Sequence, residues 1–198
     1  MKKMNTKSFT MVVLLIVIVG LGYYTHLNNK TNEQREKTST SEKQELLEYD
    51  FKERYPKTVR ETVKLHCKYL KNAYNGKFSE DELYIVNTNI RQLLDEELLA
   101  YNAEEKQLEG LKNDIALYTE KKQKITGYSL EEPSQIQYNT EEGKDYAKTT
   151  VTLNLSVAST AVSVEQEYLL RKAEDGKWKI LGWQTVVPAS EENEGDVQ

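Results

Sequence analysis

His66 and Cys67 stand side by side on a run whose apolar positions, Val59, Val63, Cys67, Leu70 and Tyr74, recur at intervals of 4, 4, 3 and 4. An imidazole can take or give a proton near neutral pH, and a thiol can act as a nucleophile when it ionises. On a buried stripe of this kind Cys67 reads as an inert core thiol. His66, at the stripe's edge, reads either as a pocket base or as a helix-flank histidine bonded to water or backbone. Further along, Gln166 and Gln184 are polar residues on otherwise apolar registers. Buried amides demand partners, so these two bond each other, nearby backbone, a ligand or water.

The rest of the chemistry is sparse. Glu165 and Glu167 alternate onto the opposite register from Gln166 and Tyr168, and no Asp or Glu falls on the inferred core face of the last three strands. No nucleophile–base signature, glycine-rich phosphate loop or metal-ligand spacing occurs. One cysteine excludes an intrachain disulfide framework and a cysteine-rich zinc site, and two histidines leave little for a histidine-based one. Neither an enzyme nor a bound cofactor or metal is expected.

The 198 residues carry 27 Lys plus Arg against 32 Asp plus Glu, a net charge of −5. Residues 1–30 hold four lysines and no acid, leaving 23 against 32 in residues 31–198. Such an acidic part lacks the basic surface that phosphate backbones require, so nucleic acid is not an expected partner.

From Ser8 to Asn29 there is no charged side chain, and Phe9 to Leu27 is mostly Val, Leu, Ile and aromatic residues. As a helix these residues span about 28 Å, close to the ~30 Å hydrocarbon thickness. The exit, Leu21-Gly22-Tyr23-Tyr24-Thr25-His26, is too bulky for a cleavage site, so an uncleaved anchor is expected. Lys2, Lys3 and Lys7 favour a cytoplasmic N-terminus. The expected organisation is a cytoplasmic stub (1–8), a transmembrane anchor (9–27) and a disordered tether without apolar side chains (28–43). A folded domain (44–187) and an acidic disordered tail (188–198) follow, outside the cytoplasm.

Helical periods follow Pro56 (Val59 to Tyr74), the capping-box pattern Ser79-Glu80-Asp81-Glu82 (Leu83, Val86, Ile90, Leu94, Leu98) and Leu108 (Leu111, Ile115, Tyr118), and a shorter helical segment around Leu46, Leu47 and Phe51 precedes the first of them. Beyond residue 125 the texture is β-branched and aromatic. Strands are predicted over 125–130, 135–139, 146–157, 162–171 and 178–187, with short connections that make sequence neighbours antiparallel. Alternation puts Ala147, Thr149, Val151, Leu153, Leu155 and Val157 on a core face, with Gln166, Tyr168, Trp178 and Gln184 on the matching registers. The layout is α+β, with about three helices packed on one face of an antiparallel sheet.

The element order from Pro56 to Val187, with Asp175-Gly176-Lys177-Trp178-Lys179-Ile180-Leu181-Gly182-Trp183, resembles the nuclear-transport-factor-2-like (cystatin-like) superfamily, many of whose members end in a Gly-x-Trp-x-Ile hairpin. Together with Tyr55-Pro56-Lys57-Thr58, Leu94-Asp95-Glu96-Glu97-Leu98-Leu99 and Leu169-Leu170-Arg171-Lys172, it is similar to an uncharacterised family of membrane-anchored bacterial proteins. The resemblance implies a curved sheet whose concave face and helices enclose a pocket. Its lining would come from His66, Cys67, Leu70, Tyr74, Thr149, Gln166, Tyr168, Trp178 and Gln184.

Leu169, Leu181 and Trp183 share the nominally outer face and would form an apolar contact patch. The expected role is a membrane-anchored extracytoplasmic binding or interaction domain without catalysis. The alternatives are a scaffold subunit of a conjugation or secretion machine and an isomerase- or dehydratase-like pocket enzyme. A protein partner, self-association or a small ligand would each fit, and the fold alone decides between none of them.

Overall fold

A computed structural model describes residues 41–186. The chain divides into two units, residues 1–45 and 46–198. The expected stub, anchor and acidic tail lie outside the described residues, as does most of the tether. Its last residues, 41–43, belong to a helical segment over 41–47 (α1), where a disordered tether was expected. Among the described residues no helix is long and apolar enough to cross a membrane.

Helix α2 (Val59–Tyr74) begins just after Pro56 and is held by a capping box. The Thr58 hydroxyl accepts from Glu61 N–H, and the Glu61 carboxylate accepts from Thr58 N–H. Val59, Val63 and Cys67 of its stripe are buried and Leu70 and Tyr74 half-buried, and Tyr69 is fully buried with its hydroxyl donating to Leu46 O at 2.8 Å. Ser79 and Glu82 form a second capping box on α3 (Glu80–Arg91).

The apolar period of this run continues through Leu98, yet the helix does not. Leu93–Asp95 leaves it and lies beside the last strand: Ile180 N–H donates to Leu93 O and Asp95 N–H to Ile180 O, both at 2.8 Å. The carboxylate of Asp95 then accepts from Glu97 N–H at 2.9 Å and starts a new helix, α4 (Glu96–Tyr101). Two backbone bonds to a strand and a side-chain cap replace the few helical bonds lost. Leu93 and Leu94 stay buried across the break, so the apolar spacing does not register it. Helix α5 (Glu104–Glu120) brings the α-helices among the described residues to five, where about three were expected on the sheet.

The strands are β1 (Gln123–Leu130), β2 (Gln137–Glu141), β3 (Lys144–Val157), β4 (Thr160–Lys172) and β5 (Trp178–Thr185). All pairings are antiparallel, in the order β1-β3-β4-β5. β1 and β2 do not pair with each other, as a simple meander would require. They line up along the same side of β3, β1 against Val151–Val157 and β2 against Lys144–Lys148. A single turn of 3₁₀-helix, Pro133–Gln135, carries the chain between them. The alternation in β3 holds: Ala147, Thr149, Val151, Leu153 and Leu155 are all buried. Tyr168, Leu170 and Ile180 continue that face across β4 and β5. The result is the α+β layout, helices on one face of a five-stranded sheet.

One residue breaks the alternation where it matters. Leu170 pairs with Ile180 and Leu169 with Gly182, so Leu181 has no partner and forms a β-bulge. Beyond it the phase of β5 is inverted. Trp183 pairs with Tyr168 on the inner face, and Gln184 pairs with Glu167 on the outer one. The predicted patch of Leu169, Leu181 and Trp183 therefore does not exist, because the bulge moves the tryptophan to the other side of the sheet.

Candidate functional site

A cleft of about 380 Å³ opens between helices α2, α3, α4 and α5 and strand β5. Leu70, Ile90, Leu94, Leu98 and Leu111 give it apolar walls, and Trp183 and Gly182 close the β5 side. Its mouth is polar, with Asn102, Lys106, Gln107 and Asp114. On α5 the residues facing it, Gln107, Gly110 and Asp114, are spaced 3 and 4, one helical stripe.

Three of the nine pocket residues expected from sequence line this cleft: His66, Leu70 and Tyr74. Cys67, Thr149 and Tyr168 are buried behind it, in the packed layer between α2 and the sheet. Gln166 is half-buried on the inner face with no partner for Oε1 among the described residues. Gln184 is exposed on the outer face, so the two glutamines cannot bond each other. Trp178 is half-buried elsewhere on the sheet, its ring 5.8 Å from that of Tyr138, and lines no part of the cleft. The cleft is displaced toward the helices and β5 from the position the strand alternation implied.

The residues missed come from α3 and α5, from Leu94, Leu98 and Asn102 in and around α4, and from Gly182 and Trp183 of β5. Asn87 is fully buried one position after Val86, a polar residue at the edge of an apolar stripe, which is the signal that could have found it. Asp114 puts a carboxylate on the wall that the strands do not supply, and its Oδ2 lies 3.2 Å from the Tyr74 hydroxyl. Burial first and Asp114 second push that hydroxyl above its usual titration range.

His66 sits at the back of the cleft, fully buried, with Nδ1 3.2 Å from the Tyr168 hydroxyl. The same hydroxyl is 3.7 Å from Cys67 Sγ. The His66 ring meets Trp183 edge-on at 4.7 Å between centroids. Burial, with no carboxylate to offset it, lowers the His66 pKa to about 3, and burial raises that of Cys67 to about 12. At neutral pH the cleft is thus backed by a neutral imidazole, with a protonated thiol in the packed layer behind it. Among the described residues no three His, Cys, Asp or Glu side chains converge as metal ligands.

Comparison with known families supplies a placement. The sequence model of a family described as a domain of unknown function (DUF6715) matches residues 1–183. The chain belongs to the DUF6715 family. No match is found among the curated proteins. Among solved structures, the chain is similar to the NMR solution structure of the putative transfer protein TraH from the Gram-positive conjugative plasmid pIP501. That match has 17% identity and a TM-score of 0.35, covering 68% of this chain and 98% of that one.

The buried histidine of this DUF6715 chain makes its stability depend on acid. Unfolded, a histidine titrates near 6.5; folded, His66 titrates near 3. Above pH 6.5 neither state is protonated. Between 6.5 and 3 only the unfolded state takes up the proton, so stability falls by about 1.4 kcal/mol per pH unit from this group. Urea unfolding of the full chain between pH 7 and 4.5 should show a steeper loss for the wild type than for His66→Phe. Parallel curves would refute the neutral, proton-excluding site.

Proposed function

We propose that this protein is a non-catalytic binding domain that captures a small, mostly apolar ligand in the cleft between its helices and β5. We propose further that residues 9–27 anchor it in the cell membrane as a single span with the domain on the outer side, and that its fold is nuclear-transport-factor-2-like. The uncharged run flanked by Lys2, Lys3 and Lys7 supports the anchor. Helices packed on one face of an antiparallel sheet support the fold assignment.

The observation that carries the binding role is the cleft itself, at about 380 Å³ within the range of small-molecule sites, with apolar walls and polar groups that could fix a ligand's orientation. Binding rather than turnover is supported by the state of its groups. A histidine that gains its proton only near pH 3 is a poor general base at neutral pH. The single carboxylate on the wall, Asp114, faces Tyr74 rather than His66.

The chain has two tryptophans, of which Trp183 lines the cleft and Trp178 does not, so their indole N–H resonances form a reporter and its internal control. With the full chain in lipid nanodiscs, a set of small neutral aromatic compounds should contain members that shift the Trp183 signal in a saturable way and leave Trp178 in place. Failure of every compound to move Trp183, in a folded sample, would overturn the binding role.

A further inference from the structure

Two buried polar atoms on cleft-lining residues have no hydrogen-bond partner among the described residues: His66 Nε2 and Asn87 Oδ1. Both parent residues are fully buried. Leaving such atoms unpaired inside a protein is costly, and two of them on residues that line one cleft ask for a ligand that pairs them. The polarity of each follows from its neighbours.

Asn87 Nδ2 lies 3.4 Å from Glu104 O and donates to it, which assigns Oδ1 as an acceptor. The Tyr168 hydroxyl has Nδ1 of His66 and Sγ of Cys67 within reach. Imidazole nitrogen is a far better acceptor than sulfur, so the phenolic O–H turns to Nδ1 and the thiol S–H points at the phenolic oxygen. The neutral ring then carries its proton on Nε2. The site presents one donor and one acceptor, and no full charge at its depth.

We infer that the deep end of the cleft is an amide-recognition site, in which His66 Nε2–H donates to the carbonyl of an uncharged, otherwise apolar ligand and Asn87 Oδ1 accepts from its N–H. This rests on the binding role proposed above and names its ligand class. A carboxylate offers no donor to Asn87 and would enter an apolar space without a cation, because Lys106 stands at the mouth. A ketone satisfies His66 and leaves Asn87 unpaired. The Trp183 indole, 38% exposed, packs edge-on against the His66 ring and lines the same cleft, so a ligand held at His66 is reported at that indole.

The test uses three probes of nearly the same shape: benzamide, acetophenone and benzoate. Each is titrated into the full chain in nanodiscs, with free concentrations corrected for partition into empty discs and binding read at the Trp183 indole. Benzamide should bind about tenfold tighter than either of the others, the fold-change expected for one satisfied buried polar group. In Asn87→Leu, benzamide should fall to the acetophenone level while acetophenone is unchanged. His66→Phe should weaken benzamide and acetophenone alike, and it serves as the second variant if Asn87→Leu does not fold.

Equal binding of benzamide and acetophenone by the wild type would overturn the amide assignment and leave the cleft as a binding site. Preference for benzoate would overturn it in favour of an anion held at Lys106. No shift from any probe, nor from the wider set of neutral compounds, would remove the binding role as well.

Discussion

Gly110→Phe should keep the fold and lose the ligand. Gly110 lies in the middle of α5 on the stripe that faces the cleft, and a Cβ placed there meets no atom within 4 Å. Glycine inside a helix costs roughly 1 kcal/mol relative to alanine, and phenylalanine about half of that, so the substitution is stabilising by about 0.5 kcal/mol on helix propensity alone. A ring there extends from the cleft lining into open space that a ligand would use. Thermal unfolding of the full chain should therefore show an unchanged or slightly raised midpoint. Binding of any compound that shifts Trp183 in the wild type should weaken at least tenfold, and a deletion phenotype should not be rescued. A Gly110→Phe protein that binds with wild-type affinity would place the ligand elsewhere.

Arg171→Met should give the largest loss of stability among single surface-strand changes, about 3 kcal/mol. The guanidinium of Arg171 grips both carboxylate oxygens of Asp95, Nε at 3.0 Å from Oδ2 and NH2 on Oδ1, and reaches Glu97 at 3.0 Å. The Asp95 side chain is only 5% exposed, so removing the cation strands a buried charge rather than exposing it to water. Asp95 also caps α4 and bonds the backbone of β5, and its displacement loosens both. For a chain of this size that cost corresponds to a fall of roughly 10 °C in the unfolding midpoint. Asp95→Asn should recover part of the loss in the Arg171→Met background, since asparagine still caps a helix and carries no charge. A change below 1 kcal/mol for Arg171→Met would mean that Asp95 finds other partners.

The sequence was legible wherever one periodicity ran without interruption. The stripe from Val59 to Tyr74, the capping boxes at Thr58 and Ser79 and the alternation from Ala147 to Leu155 each combine a local signal with one partner surface, and each appears where the pattern puts it. Two errors share a cause. At Leu93–Asp95, which bonds the backbone of Ile180, and at Leu181, left unpaired between β4 and β5, the backbone changes phase while the apolar spacing continues as if nothing had happened. The second error decided the site: counting every other residue from Trp178 sends Trp183 outward and Gln184 inward, and the structure has both reversed. Asn87 and Asp114 leave no mark on the apolar periodicity of α3 and α5, because a polar residue beside a helical stripe has the same spacing whether it faces a cleft or solvent.

The pairing of Leu93–Asp95 with Ile180 also bears on how such a domain behaves when many copies are crowded together. The free side of a terminal strand is a template on which a second chain can add its own strand and start an aggregate. Here the apolar half of β5 is already occupied by a stretch of the same polypeptide, and what remains beyond the bulge includes the polar Gln184 and Thr185. At the opposite side of the sheet β1 and β2 share the flank of β3 as two short pieces, with a second bulge between Ile125 and Gly127. Neither border presents a long, flat, hydrophobic run, so the sheet is built to end within one molecule.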